Sequence, residues 1–249
     1  MTTFKITIAY DGTRFVGWQR QVQGTSVQGL IEDALQELDG RQVAVVGAGR
    51  TDAGVHALGQ VASFALERVM TGAMLARALN ARLPSDIRVL QAEEASPDFH
   101  ARFNARVKTY RYRIWNSAIA NPFERAYSWH LPEPLDVGEM DTAARRLEGR
   151  HDFSSFQAAG ASTRTSERIV MASRVIGGVD AAIVVYEITG DGFLRHMVRT
   201  VVGTLVEIGR GRAPVNWVDV VLAARDRTRA GPTAPPEGLF LVSVEYGSP

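Results

Sequence analysis

The chain has no cysteine among its 249 residues. That excludes thiolate nucleophiles, thiolate metal sites and redox pairs, and it fits a reducing compartment. No basic segment leads into an apolar stretch at the start, and no apolar run approaches the length of a membrane span. A soluble, cytoplasmic protein is therefore expected. Lysine is almost missing: Lys5 and Lys108 are the only two, and arginine supplies every other cation. A marked excess of either charge is missing as well. A formal net charge of +1 gives no global attraction to a polyanion. The histidines, His56, His100, His130, His151 and His196, are scattered without ligand spacing, which speaks against a metal site. No low-complexity segment or long linker interrupts the chain.

What is present is an ordinary globular composition, 45% hydrophobic and 22% charged, enough to build one large core or two small ones. Strand-like segments fall at 5–10, 43–47, 60–64 and 87–92, with helical patterns at 26–38 and 72–82. Ser26 stands where an N-cap belongs, and Pro84 closes the second helix. The order is β-α-β-β-α-β. The second half repeats it, with strands at 108–115, 169–175, 183–189 and 239–246, helices at 136–148 and 194–209, and an extra helix near 215–224. The expected fold class is α+β: two tandem ferredoxin-like halves, residues 1–104 and 105–249, forming a mixed, mainly antiparallel sheet with helices on one face and a central cleft. Gly203, in the middle of the last long helix, costs about 1 kcal/mol against alanine and signals close packing there.

Charge is concentrated locally. From Phe99 to Arg113, "FHARFNARVKTYRYR" carries Arg102, Arg106, Lys108, Arg111 and Arg113 with no acid and with aromatics interleaved. Arg195, Arg199, Arg210 and Arg212 form a second basic zone against Glu207 alone, with Arg195 and Arg199 one helical turn apart. Cations mixed with rings suit nucleic acid, the former meeting phosphates and the latter bases. A salt-bridged protein surface accounts for the same composition.

The most specific stretch is "VVGAGRTDAGVHALGQVASF", Val45 to Phe64. Two apolar strands flank a glycine-lined loop that holds one acid, Asp52, beside Arg50. A dinucleotide fingerprint fails here, because Asp52 takes the third glycine position and a strand follows where a helix belongs. A P-loop fails because Val55 and His56 replace Lys and Ser/Thr, and a carboxylate repels phosphate. What remains is a carboxylate on a loop whose glycines let backbone pass close to a planar ligand. Such a group serves as nucleophile or general base. An Asx-turn in a hairpin is the structural use of the same residues.

"AGRTDAGVHALGQV" resembles the catalytic loop of the TruA family of pseudouridine synthases, which act on the anticodon arm of tRNA. "YDGTRFVGWQRQ" at 10–21, "DFHARFNARVKTYRYRI" at 98–114, "GDGFLRHMVRTVVGTLVEIG" at 190–209 and "EGLFLVSVEY" at 237–246 resemble the family's other blocks, in the family's order. The resemblance implies two ferredoxin-like halves around a basic cleft. It implies an isomerase that turns uridine into pseudouridine with no cofactor and no metal. Asp52 matches the family's catalytic aspartate. Tyr110 matches the tyrosine that stacks on the target base and assists proton removal, Arg199 the arginine that pairs with the aspartate, and Arg50 a residue that holds the splayed nucleotide. A homodimer acting on tRNA rather than DNA is also implied. The alternative is a catalytically silent tRNA-binding protein of the same fold. A uracil-C5 methyltransferase would need a cysteine, and a zinc deaminase its cysteine ligands; both are missing.

Overall fold

A computed structural model describes residues 1–158, 165–177 and 182–247. Ten strands and five α-helices lie among them, and most strand pairs are antiparallel, so the α+β class holds. The chain forms two compact units. One comprises Met1–Arg106 with Phe240–Pro249, the other Val107–Leu239.

In the first unit, β1 (Thr2–Tyr10) buries Phe4, Ile6, Ile8 and Tyr10 on one face, the two-residue period of a strand covered on one side. It lies between β4 (Ile87–Glu94) and β3 (His56–Leu66), antiparallel to both, with Phe4 opposite Phe64. The two-residue β2 (Val46–Gly47) pairs with β3. The order β4-β1-β3-β2 is that of a ferredoxin-like unit. Helix α1 (Val27–Asp39) buries Val27, Ile31, Ala34, Leu35 and Leu38, one stripe of a 3.6-residue repeat. Ser26 Oγ accepts from the Gly29 N–H at 3.2 Å, and Gly40, left-handed with φ 74°, ends the helix. Helix α2 (Gly72–Asn80) ends four residues before Pro84, so Pro84 does not stop it. The last strand, β10 (Leu239–Tyr246), runs parallel to β3, with Phe240 beside His56 and Leu241 beside Ala57. It thus groups with the first unit, although the linear pattern reads it as the end of the second half. A pattern of element types carries no record of which neighbour a terminal strand joins.

In the second unit the order is β5 (Ala105–Asn116), β9 (Ile183–Gly190), β8 (Glu167–Gly177), β7 (Gly149–Asp152), all antiparallel. The short β6 (Trp129–Leu131) runs parallel beside β5. Asp136 caps α3 (Val137–Arg145) by accepting from the Glu139 N–H at 2.9 Å. Helix α4 (Met197–Gly209) packs against α3, and α5 (Trp217–Ala224) follows. In α4 every residue except Arg199 and Glu207 is buried. A helix apolar on nearly all sides belongs in a core, so its one arginine needs a reason.

Candidate active site

Asp52 lies in the loop between β2 and β3, four residues before β3 begins at His56. Its side chain is half-buried, and the residues around it are pinned. The Thr51 carbonyl accepts from the Trp18 N–H at 3.1 Å, and the Thr51 hydroxyl meets the Tyr10 hydroxyl at 2.8 Å in a buried contact. Gln60 Nε2 donates to the Gly49 carbonyl at 2.8 Å. The Gly54 N–H donates to the Phe15 carbonyl at 3.4 Å, and the Val55 N–H closes a turn onto the Asp52 carbonyl at 3.2 Å. His56 is buried and structural: it accepts from the Gly12 N–H at 3.0 Å and stacks on Phe240 with centroids 4.6 Å apart. Burial pushes the Tyr10 hydroxyl up to about 12, with its bonds to Thr51 and Gln60 acting the other way. It therefore stays protonated at neutral pH and holds Thr51 throughout the working range.

The clamp is residues 10–18, "YDGTRFVGW", whose part the linear motif did not reveal. Gly17 has φ 106°, and a Cβ there would lie 2.6 Å from the Thr51 carbonyl oxygen, so only glycine lets this backbone reach the aspartate loop. Gly47 corrects an expectation. A Cβ on it would lie 2.5 Å from the ring of buried Trp18, so the missing side chain makes room for an indole of the scaffold. The result is a carboxylate on a loop fixed from both sides, the condition for a preorganised nucleophile or base. Arg50, two residues earlier, is exposed, and among the described residues its side chain makes no hydrogen bond or ion pair.

Tyr110 and Arg199 belong to the second unit. Tyr110 lies on β5 opposite Ile188, 8% exposed, with the edge of its ring 5.1 Å from Phe193 between centroids. Arg111 and Arg113 take the other face. Arg199 occupies the first turn of α4, whose N-cap, His196, is left-handed with φ 64°. This places Arg195 before the helix, so Arg195 and Arg199 do not share the helical face expected for them. Arg199 Nε donates to the Ala234 carbonyl at 2.7 Å, and the Ala234 N–H returns a bond to the Arg199 carbonyl at 3.0 Å. The proline-rich segment 231–235 thus steers the guanidinium. Tyr112 holds the same segment through its hydroxyl, 2.8 Å from the Pro235 carbonyl oxygen. Burial first, and then the Glu237 charge, push that hydroxyl well above the ordinary tyrosine range, against the lowering effect of Arg199.

The basic zones resolve by pairing. Arg111 binds Glu187 at 2.8 Å and Arg113 binds Glu124 at 3.0 Å. Arg210 lies 2.6 Å from Glu133 and 3.1 Å from Glu207, and Arg212 reaches Glu207 at 3.4 Å. Glu133 is the acid that linear spacing did not reveal, since it comes from the segment between β6 and α3. The second zone is therefore largely neutralised at Arg210 and Arg212. Arg102 and Arg106 are exposed, and among the described residues their side chains have no hydrogen-bonding or ionic partner. No three His, Asp or Glu side chains among the described residues converge as metal ligands, and no described helix is long and apolar enough to cross a membrane.

Comparison with known proteins gives a consistent result. A family described as tRNA pseudouridine synthase matches residues 6–104 and 143–247. The tRNA pseudouridine synthase A of Moorella thermoacetica is 50% identical over 248 residues, covering 99% of this chain and 100% of that protein. The proteins of the same name from Myxococcus xanthus and Limosilactobacillus fermentum are 47% and 46% identical, covering 99% and 100% of this chain and 92% and 98% of their own.

Proposed function

The chain belongs to the tRNA pseudouridine synthase family, and from that premise we propose that Asp52 performs the family's chemistry on uridines of the anticodon arm of tRNA. The reaction is isomerisation of uridine to pseudouridine. The glycosidic bond from sugar carbon 1 to base nitrogen 1 breaks, the base turns, and carbon 1 joins carbon 5, which loses its proton while nitrogen 1 takes one up. Atoms and electrons balance without a co-reactant. A carboxylate starts this as nucleophile at sugar carbon 1 or as base toward a ribose proton, and the Asp52 loop serves both routes. The observation that carries the reading is the clamp on Thr51 and Gly54, which fixes the backbone on either side of this one acid.

The target base must leave its stack, at a cost of a few kcal/mol. Tyr110 is proposed to stack on it, Arg50 to hold the splayed nucleotide, and Arg199 to act on the reacting centre. Tritium released from C5-labelled uridine in an anticodon-arm transcript tests the function. A protein that binds the transcript and releases none is the catalytically silent alternative. A cytoplasmic homodimer is the assembly supported by the family resemblance, and sedimentation at the mass of one chain would remove the dimer.

Two variants separate the roles. Tyr110→Phe keeps the ring and its packing on Phe193, so tRNA binding is expected to persist while turnover falls about 10²- to 10⁴-fold, the range for loss of a group that assists proton transfer. Turnover equal to wild type would confine Tyr110 to stacking. Arg199→Lys keeps the charge and loses the fixed fork that Ala234 orients. Its kcat is expected to fall at least about tenfold, with the salt dependence of binding retained. A kcat equal to wild type would leave Arg199 as a cation only.

A further inference from the structure

We propose that the loop 96–104 presents Phe103 as a stacking platform for a base of the bound tRNA, with Arg102 and Arg106 as its flanking phosphate contacts. The proposal rests on the tRNA reading above.

Phe103 is 75% exposed, with its ring stacked on His100 at 4.1 Å between centroids and 22° between planes. An exposed phenylalanine forgoes the gain that burial would bring, yet this one is held firmly where it is. The Arg102 and Phe103 N–H groups both donate to His100 Nδ1 at 3.2 Å. The His100 N–H donates to Asn104 Oδ1 at 2.7 Å, and the Asn104 N–H returns a bond to the His100 carbonyl at 3.0 Å. Ala101, fully buried between them, donates its N–H to Ser63 Oγ at 3.0 Å and accepts from the Tyr246 hydroxyl at 2.8 Å. The backbone is therefore locked at its middle while the ring faces water. A ring in a fixed place costs a ligand little ordering entropy, which is what a preformed stacking surface requires.

Charge identifies the occupant. Arg111 and Arg113 are consumed by Glu187 and Glu124, whereas Arg102 and Arg106, on either side of Phe103, have no side-chain partner among the described residues. No acid occurs from Phe99 to Arg113. A single ring between unpaired guanidinium groups matches single-stranded nucleic acid, where rings take bases and cations take phosphates. A protein partner would call for a contiguous apolar patch, and the neighbours of Phe103 are Arg102 and Asn104.

The test is the Kd for an anticodon-arm transcript, measured over a salt series. Turnover of the wild type reports on the isomerase reading, and the Kd of the variants reports on this one. Phe103→Ala is expected to weaken binding by about 5- to 150-fold, the range for loss of one base-stacking ring. Phe103→Trp should restore binding. Phe103→Leu, apolar but without a π face, should behave as Phe103→Ala and guards against a folding defect in the smaller variant. Arg102→Ala and Arg106→Ala should each lower the slope of log K against log salt by about 0.7 to 0.9. Wild-type affinity in Phe103→Ala or Phe103→Leu overturns the platform. So does a Phe103→Ala protein that binds RNA normally but changes its oligomeric mass, because the ring would then be a contact between copies of the chain.

Discussion

No tritium release from C5-labelled tRNA is expected of the Asp52→Asn variant, while it still binds that tRNA. The substitution keeps the size and planarity of the side chain and removes the charge and the nucleophilic oxygen pair. The backbone bonds on either side of it should survive. The bonds that fix the loop run through the Thr51 carbonyl and hydroxyl, the Gly49 carbonyl, the Gly54 N–H and the Asp52 carbonyl, and none of these uses the carboxylate. Binding is expected to draw on arginines and rings elsewhere, so affinity and melting temperature serve as internal controls. The loss in rate should be at least about 10⁴-fold, the order seen when a group acting in the transition state is removed. Retention of even a few per cent of the wild-type rate in Asp52→Asn would assign the chemistry to another residue. Asp52→Ala should match Asp52→Asn. A large difference between them would mean that the amide itself disturbs the loop.

The elements with a strong period were legible in the sequence. The stripe Val27, Ile31, Leu35 and the capping Ser26 belong to α1 as expected, and the close packing inferred from Gly203 is there as a contact with Pro232. Asp52 stood out because one acid among glycines is chemically odd. Its support did not, because the clamp is made by backbone groups of residues 10–18, and a carbonyl or an N–H leaves no mark on residue type. The same holds for the turn before α4. Nothing in "LRHMVR" distinguishes a helical His196 from a left-handed one, so the linear pattern starts the helix three residues too early and puts Arg195 on its face. The strands β6 and β7, three and four residues long, are too short to show an alternation. Pairing of charges was the least legible feature. Glu124, Glu133 and Glu187 lie 11, 77 and 76 positions from Arg113, Arg210 and Arg111, and tertiary structure alone brings them together.

Gly203→Ala should destabilise the protein, against the usual sign. In an exposed helix this substitution stabilises by about 1 kcal/mol, because alanine loses less backbone entropy on folding. Here a Cβ would lie 1.8 Å from the Pro232 carbonyl oxygen, and real Cβ contacts essentially never fall under 3.0 Å. Helix and segment would have to part by about 1.2 Å, the difference between those two distances. The segment has little room to yield. It is tied to α4 by the Gly231 N–H on Thr204 Oγ1 at 3.0 Å and by the reciprocal pair between Arg199 and Ala234. It is tied to the rest of its unit by Tyr112 on the Pro235 carbonyl at 2.8 Å and Arg227 on Thr233 Oγ1 at 2.9 Å. Overpacking of this kind costs about 1 to 3 kcal/mol, so Tm should fall by about 2 to 12 °C in a chain of this length. Turnover measured well below that Tm should fall too, because the displaced carbonyl segment is the one that orients the Arg199 guanidinium. Gly177→Ala is the control: a Cβ there meets nothing within 4 Å, so Tm and turnover should stay near wild type. If Gly203→Ala melts at or above the wild-type temperature, the segment gives way without cost. Its hold on Arg199 would then be too weak to position that residue for the reaction.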